Sequence, residues 1–287
     1  MRCSDDTFVR FALCNDIFEP PIFSKKELRN FEKSFYNGNL SAARSLTLWE
    51  IADIVKDNQL AEKIYTCFRK NYDDFFEKLD KRGIFILGEK DENYPNRISQ
   101  KIREEAPVFF YVQGSSKLLN LRSASVTGSR NMSEAGLRFS ADIGEAIAKE
   151  NRVLVSGGAR GCDFSATKSA LLTGGSAVWF MAIPYDEVET NQNICRYIEE
   201  NRLCLCWDFN PFSRFEGKNA LRRNRYIYAN SETAFVCQCN SKISGTFSGA
   251  NYALKNNLCE LFVYDNNSQA SKELIKNGAI AIIDDNC

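Results

Sequence analysis

The sequence contains no histidine among its 287 residues. This absence excludes the Ser-His-Asp and Cys-His nucleophile arrangements, H-E-x-x-H zinc sites and acid–base catalysis by an imidazole. We therefore predict no catalytic residue and expect a protein that holds its ligand without reacting with it, rather than an enzyme.

The sequence also lacks a charge excess, since 37 basic side chains balance 37 acidic ones. A protein that binds nucleic acid through its overall field is usually basic. Any contact with nucleic acid must therefore come from a local cluster of basic residues.

Long apolar runs are missing as well. No segment approaches the roughly 18 to 20 uninterrupted apolar residues that a membrane helix needs. The first ten residues contain no apolar run of the kind found in secretory signals. We expect a cytoplasmic protein with no membrane contact.

The sequence has 11 cysteines but no C-x-x-C pair. An odd count without that spacing argues against a disulfide framework and against a metal site. Cys204/Cys206 and Cys237/Cys239 lie two residues apart in apolar segments, where a strand would direct both thiols of a pair to one face. We interpret them as small buried side chains in a reducing compartment and predict neither metal nor cofactor.

Residues 1–80 lack strand alternation, and the apolar residues from Leu46 to Lys78 recur at mostly three- and four-residue steps, which predicts a small helical N-terminal domain. Residues 81–287 instead alternate strands with helices, which predicts an α/β domain with a Rossmann-like, doubly wound, mostly parallel sheet. The predicted strands are Ile84–Leu87, Val108–Val112, Ala124–Thr127, Arg152–Ser156, Ala177–Ile183, Leu203–Cys206, Thr233–Cys237, Leu261–Tyr264 and Ile280–Ile283. The predicted helices of this part are Glu134–Lys149, Asp163–Leu172, Asn193–Asn201, Ala220–Asn230, Ser248–Asn256 and Gln269–Asn277.

Three glycine-bearing loops follow predicted strands and precede helices, where backbone N–H groups bind anions. They are Gly128-Ser129-Arg130, the run from Ser156 through Asp163, and Ser244-Gly245-Thr246. We expect Asp163 to be the N-cap of its helix, and capping would also explain the hydroxyls of the third loop. None of the loops has the G-K-[ST] ending of a nucleotide triphosphatase.

The densest basic cluster lies between the second and third loops, in a segment that also carries Leu221, Tyr226, Ile227 and Tyr228. Its basic side chains are Arg214, Lys218, Arg222, Arg223 and Arg225. Such a run alone is often a solvated helix face. Beside three strand-end glycine loops, it favours an anion-binding pocket.

These motifs, in this order, resemble those of the DNA processing protein A (DprA, or Smf) family, of which the chain is identified as a divergent member. The similar segments are Gly128-Ser129-Arg130, the Ser156–Asp163 loop, Arg223-Asn224-Arg225 and Ser244-Gly245-Thr246, within residues 80–283. The resemblance implies an extended Rossmann fold that binds single-stranded DNA without hydrolysis, loads the RecA recombinase, and forms a homodimer in natural transformation and recombination. It implies that the DNA phosphates contact Gly128, Ser129, Arg130, Ser156, Gly157, Gly158, Arg160, Gly161, Lys168, Arg223, Asn224, Arg225, Ser244, Gly245 and Thr246.

A second interpretation is a nucleotide-binding or nucleotide-processing Rossmann protein. Families that cleave the glycosidic bond of nucleoside monophosphates share a glycine-rich loop and a Gly-Thr before a helix. They also carry a catalytic glutamate in a P-G-G-x-G-T-x-x-E motif, and the segment from Ser244 to Gly249 lacks it. A third interpretation, a scaffold protein with a vestigial pocket, stays open at this point.

Overall fold

The computed structural model describes residues 3–17, 20–188 and 192–283. Its α-helices are α1 (Asp5–Cys14), α2 (Lys25–Glu32), α3 (Leu48–Val55), α4 (Asn58–Cys67), α5 (Asp73–Asp80), α6 (Asn96–Ile102), α7 (Glu134–Lys149), α8 (Cys162–Leu172), α9 (Gln192–Glu199), α10 (Gly217–Ala229), α11 (Gly245–Lys255) and α12 (Gln269–Lys276). Its strands are β1 (Ile84–Gly88), β2 (Phe109–Gly114), β3 (Ser123–Gly128), β4 (Val153–Ser156), β5 (Ser176–Phe180), β6 (Leu203–Trp207), β7 (Thr233–Gln238), β8 (Glu260–Tyr264) and β9 (Ile280–Ile282). Short 3-10 turns lie at Tyr36–Gly38, Leu40–Ser45, Arg103–Glu105, Ser116–Asn120 and Tyr185–Glu187.

Within these residues, nine strands form one sheet in the order β1-β2-β6-β5-β4-β3-β7-β8-β9. The strands from β6 to β9 in this order all run parallel, whereas β2 is antiparallel to both β1 and β6. This confirms the predicted α/β fold with a mostly parallel, Rossmann-like sheet.

Both faces of the sheet are covered, and the central strand β4 shows why its sequence is apolar throughout. Leu154 belongs to the core that α7 and α8 cover, and Val153 and Val155 belong to the core under α10, α11 and α12. Successive side chains of a strand point to opposite faces, so a strand buried on both sides has no polar alternation. Full burial of each such side chain contributes about 1.5–3 kcal/mol.

The strand order reverses at β3. From β3 the chain builds β4, β5 and β6 outward on one side, and it then returns to place β7 against the other side of β3. In an open parallel sheet, the crevice at the carboxyl ends of the strands at such a reversal is where ligands bind. The topology therefore predicts a ligand site at the carboxyl ends of β3 and β7.

The helices before β1 pack directly on the sheet. Phe11 of α1 stacks on Phe75 and meets the edge of Phe109 in β2, with ring centroids 5.9 Å apart in both cases. Arg10 is fully buried and pairs with Glu32 at 2.7 Å and Asp6 at 2.5 Å. The division into domains at residues 80 and 81 stays a prediction. Residues 1–2 and 18–19 of the first domain and residues 189–191 and 284–287 of the second lie outside the described part of the chain.

The cysteines in the described residues are free thiols. Cys204 and Cys206 share one face of β6, with Sγ atoms 3.8 Å apart, which confirms that prediction. For Cys237 and Cys239 the same prediction is wrong, because the two lie in cores on opposite faces of the sheet. The pairing of β3 with β7 shifts at this point, and a bulge that adds one residue reverses the alternation that follows it.

Most predicted boundaries lie within a few residues of the observed ones, and two differences bear on the site. Strand β5 ends at Phe180 rather than Ile183, because the chain turns away before Pro184, which has no N–H to donate. Helix α11 begins at Gly245, three residues before its predicted start at Ser248. No helix in the described residues is long and apolar enough to span a bilayer.

Candidate anion-binding site

A pocket of about 290 Å³ lies at the carboxyl ends of β3 and β7, where the strand order reverses. Five parts of the chain form its walls: the loop after β3, the loop after β4, the start of α8, one face of α10, and the loop after β7 that leads into α11. The pocket therefore occupies the position that the topology predicts for a ligand.

The loop after β3 is held close to β7 and α8. A Cβ at Gly128 would lie 2.7 Å from Cβ and Sγ of Cys162, so no larger residue fits there. The Ser129 N–H donates to the carbonyl of Gln238 at 2.9 Å. The exposed side chain of Arg130 follows at the pocket wall. Close packing of the small residues thus brings a flexible, permanently charged guanidinium to the mouth of the pocket.

The loop after β4 relies on glycine for its course. Gly158 has φ +62° and packs against the Trp179 ring, and Gly161 has φ +87° and lies against the Ser129 carbonyl. Residues that carry a side chain rarely adopt such positive φ angles, so glycine is favoured at both positions. The Ser156 hydroxyl is buried and donates to the Val126 carbonyl at 2.9 Å, so it joins β4 to β3 instead of facing a ligand.

Asp163 does not have the expected capping role. The N-cap position of α8 belongs to Gly161, and Asp163 lies in the first turn of the helix. Its buried carboxylate accepts the Gly157 N–H at 3.2 Å and lies 3.9 Å from Arg223. It therefore organises the glycine loop and faces the basic side chain at the base of the pocket. Burial raises the pKa of Asp163, and the charge of Arg223 opposes that shift.

Arg223 forms the floor of the pocket and is only 6% exposed. Its Nη2 donates to the Gly157 carbonyl at a long 3.3 Å, and its Nε has no hydrogen-bond partner among the described residues. Burial lowers the pKa of Arg223, with Asp163 opposing the shift and Arg130 adding to it. With so few partners, the guanidinium does not regain the hydrogen bonds to water that it loses on burial. Each unpaired buried polar group costs about 1–3 kcal/mol.

The third loop is tied to the first through backbone groups. The Thr246 hydroxyl donates to the Gly128 carbonyl at 3.0 Å, and Asn224 donates to the Gly245 carbonyl at 3.1 Å. Ser244 caps α11 by accepting the Phe247 N–H at 3.1 Å. The hydroxyls thus have structural partners, and the N-terminus of α11, which is the positive end of the helix dipole, borders the pocket.

Eight of the fifteen predicted residues line the pocket, namely Gly128, Ser129, Arg130, Arg223, Asn224, Ser244, Gly245 and Thr246. Ser156, Gly157, Gly158 and Gly161 lie at the end of β4 and in the loop that follows it, outside this lining. The side chains of Arg160 and Lys168 are exposed and do not line it. Arg225 points away, pairs with Glu105 and lies 4.8 Å from the centre of the Tyr252 ring. A helix turns by about 100° per residue, so the adjacent basic residues of α10 face different surroundings.

Several lining residues were not singled out in the sequence. Gln238 accepts the Ser133 N–H at 3.1 Å and donates to Asn240 at 3.0 Å, which holds the loop after β7 in place. Ser241 also lines the pocket, and the apolar Leu221 extends to its rim with 56% exposure. Their position in the sequence could have indicated them, because Asn240 and Ser241 follow closely after a strand of the parallel sheet, where ligand-binding loops lie.

Comparison with known proteins places this site in a family context. The family model described as DNA recombination-mediator protein A matches residues 85–286. Protein Smf of Synechocystis is 26% identical over 93% of this chain and 67% of its own length. The putative DNA processing protein DprA of Mycobacterium tuberculosis is 27% identical over 70% of this chain and 55% of its own length. The chain thus spans between about half and two thirds of these curated relatives.

Solved structures agree with the sequence comparison. DNA processing protein A of Streptococcus pneumoniae superposes with a TM-score of 0.73 at 21% identity, over 98% of this chain and 95% of the other, and shows the same fold. The Helicobacter pylori protein superposes with a TM-score of 0.57 at 26% identity, over 69% of this chain and 90% of the other. Because the family model covers most of the sequence, the chain belongs to the DNA recombination-mediator protein A family, also known as DprA or Smf.

Proposed function

We propose that this protein binds single-stranded DNA by holding backbone phosphates in the pocket between β3, β7 and α10. The observation that carries the proposal is Arg223, a buried cation at the floor of an open pocket, whose Nε has no hydrogen-bond partner in the part of the chain that the structure describes. A phosphate has strong acceptor oxygens that match a guanidinium fork. The exposed Arg130 at the wall supplies a second positive charge.

The electrostatics of the Arg223–Asp163 pair favour an added anion. The two groups lie 3.9 Å apart, and burial moves the pKa of each toward its neutral form. Their mutual attraction therefore does not offset the loss of hydration. A phosphate beside Arg223 would stabilise its charged form, and the N-terminus of α11 would add a favourable dipole.

The size of the pocket favours part of a longer strand over an enclosed small molecule. Its volume of about 290 Å³ lies just below the roughly 300–1,000 Å³ typical of small-molecule sites. Leu221 and Ile243, 56% and 97% exposed, lie on α10 and on the loop after β7. Apolar side chains beside a phosphate pocket give unstacked bases a surface to pack against. The related H. pylori protein is described as having a single-stranded DNA binding mode, which also supports the proposal.

The experiment compares two arginines that flank opposite ends of β3. Arg130→Gln removes the exposed charge at the pocket, and Arg122→Gln removes another exposed charge, which precedes the strand. Binding of a labelled oligonucleotide is measured over a salt series. We expect Arg130→Gln to weaken binding of all sequences alike and to reduce the slope of log K against log salt by about 0.7, as for one lost phosphate contact. Equal behaviour of the two variants would contradict the proposal.

The nucleotide-processing alternative has a separate test. In the described lining of the pocket the carboxylate is Asp163, which already accepts the Gly157 N–H and faces Arg223, so it is poorly placed to act on a substrate. Calorimetry with mononucleotides distinguishes the two functions. Micromolar affinity for a monomer, without binding of oligonucleotides, would favour the alternative.

We further propose, from family membership, a recombination-mediator role that includes RecA loading and a homodimer, without hydrolysis of the DNA. Sedimentation equilibrium measures the oligomeric state. Assembly of RecA filaments on single-stranded DNA, with and without this protein, measures loading. Recovery of full-length oligonucleotide after prolonged incubation checks that the strand is held and not cut.

A further inference from the structure

A second cavity of about 700 Å³ opens on the other side of α10. It lies between the loop after β6, the first residue of β2, and the segment from Pro21 to Glu27 at α2. Asn219 and Arg222 face this cavity, whereas Ala220 and Arg223 face the anion pocket. Since these residues alternate on one helix, the two cavities are separated only by the width of the first turns of α10.

The side chain of Asp208 gives this cavity a defined chemistry. It follows β6 directly and is 1% exposed. One carboxylate oxygen, Oδ2, accepts from Arg222 Nε and from the Tyr226 hydroxyl at 2.7 Å. The other, Oδ1, is buried and has no hydrogen-bond partner among the described residues. A buried acceptor of this kind calls for a donor, because leaving it unpaired is costly.

The charges around the cavity argue against a phosphate as its occupant. Among the described lining residues, three side chains are basic and four are acidic. They are Lys25, Lys218 and Arg222 against Asp16, Glu27, Asp208 and Glu216. The cavity suits a neutral group that donates hydrogen bonds. Val108 and Phe209, both in its lining and largely buried, offer it apolar contact.

We propose that this cavity receives a base of the bound strand, one that carries an exocyclic amino group, and that Asp208 Oδ1 accepts a hydrogen bond from that amino group. The inference rests on the proposed function, because the strand is positioned by the phosphate held on the far side of α10. Aspartate accepts from the N4 amino group of cytosine in known base recognition. Uracil and thymine present a carbonyl at that position, and its oxygen would face the carboxylate unfavourably.

The test compares cytosine with uracil. Cytosine carries an amino group where uracil carries a carbonyl, and both bases stack weakly in single strands. Fluorescence anisotropy is measured for dodecamers of deoxycytidine and of deoxyuridine at the same salt concentration. We expect the wild type to prefer the cytosine strand by about 10-fold, near the lower end of what one hydrogen bond to a charged group contributes. Asp208→Asn, which directs an amide toward the base, should remove or reverse this preference.

A change in the DNA avoids the risk that the variant misfolds. A cytosine strand whose N4 atoms carry two methyl groups has no amino hydrogen to donate, and wild-type protein should bind it no better than the uracil strand. Equal affinity of the wild type for unmodified cytosine and uracil strands would overturn the base pocket and leave the phosphate pocket standing. Failure to bind any of the strands at low salt would overturn both.

Discussion

The buried guanidinium of Arg223 occupies the space that any side chain at position 157 would need. A Cβ at Gly157 would overlap the Nη1, Nη2 and Cζ atoms of Arg223. The glycine carbonyl accepts from the same guanidinium, and its N–H donates to Asp163. The glycine after β4 is thus required because an arginine from α10, 66 positions later in the sequence, fills its side-chain space.

We predict that Gly157→Ala displaces Arg223 from the pocket floor. Overpacking of a buried site costs about 1–3 kcal/mol, so the free energy of unfolding should fall by that amount in urea denaturation. Affinity for single-stranded DNA should fall with it. Gly217→Ala is the matched control, because a Cβ there meets no atom of the described residues within 4 Å, and the variant should fold and bind as the wild type does.

The N-cap of α11 should contribute to both stability and binding. Ser244→Ala removes the acceptor for the Phe247 N–H, and loss of such a cap costs about 1 kcal/mol of unfolding free energy. Because the capped end borders the pocket, oligonucleotide affinity should also drop. Thr47→Ala removes the equivalent cap of α3, remote from the pocket lining, and should lower stability by a similar amount without a change in affinity. Equal loss of affinity in both variants would contradict a role for the end of α11.

The buried Arg10 should be needed for the N-terminal helices to pack on the sheet. It pairs with Glu32, Asp6 and, at 3.6 Å, with Glu89 just after β1. Arg10→Leu leaves these carboxylates facing each other, and loss of one partner of a buried pair costs about 3–5 kcal/mol. Thermal denaturation should show a large decrease in Tm. The exposed pair of Arg138 and Glu134 provides the comparison, and Arg138→Leu should change stability by less than about 1 kcal/mol.

Stability should depend on pH through Lys25. Burial lowers the pKa of Lys25 from 10.5 to about 8, with the charge of Asp208 opposing the shift. Between pH 8 and 10.5 the unfolded chain holds this proton and the folded chain does not. Below pH 8 the buried charge therefore lowers the free energy of unfolding. This destabilisation is lost as the pH rises from 8 to 10.5.

Lys25→Met should therefore be more stable than the wild type at pH 7, with the difference shrinking toward pH 10.5. Paired urea denaturations of wild type and variant isolate this contribution from the other groups that titrate there. Lys255→Met, at an exposed position, controls for loss of a surface lysine and should change stability at pH 7 by no more than about 0.5 kcal/mol. A difference that is constant with pH would contradict the expectation for Lys25.

Much of the fold could be predicted because its signals are local. The alternation of apolar strands with helices depends on residues that are near one another in the sequence, and the nine strands of the described residues all lie close to their predicted positions. The glycine loops were also visible, since a strand followed by Gly128 or Gly157 before a helix is a local pattern. The bulge at Cys237 was not, because a shift in pairing arises between two strands rather than within one.

The roles of single side chains were harder to predict. Arg222, Arg223 and Arg225 form one basic run in the sequence, yet they contact Asp208, Gly157 and Glu105 respectively. Asp163 had the sequence position of a cap and instead faces Arg223. These outcomes depend on which elements pack against each face of α10, and no local pattern carries that information.

By itself, the sequence determined the α/β class, the helical character of the first 80 residues, and the set of glycine and arginine motifs that resemble the DprA family. These features could be predicted because hydrophobic periodicity and turn-forming residues are patterns among residues that are close in the sequence. Only the tertiary structure decided that the strand order reverses at β3, that Arg223 is buried under Gly157, and that one oxygen of Asp208 is left without a partner among the described residues. Those features require contacts between distant segments, because burial and pairing are set by the packed chain as a whole.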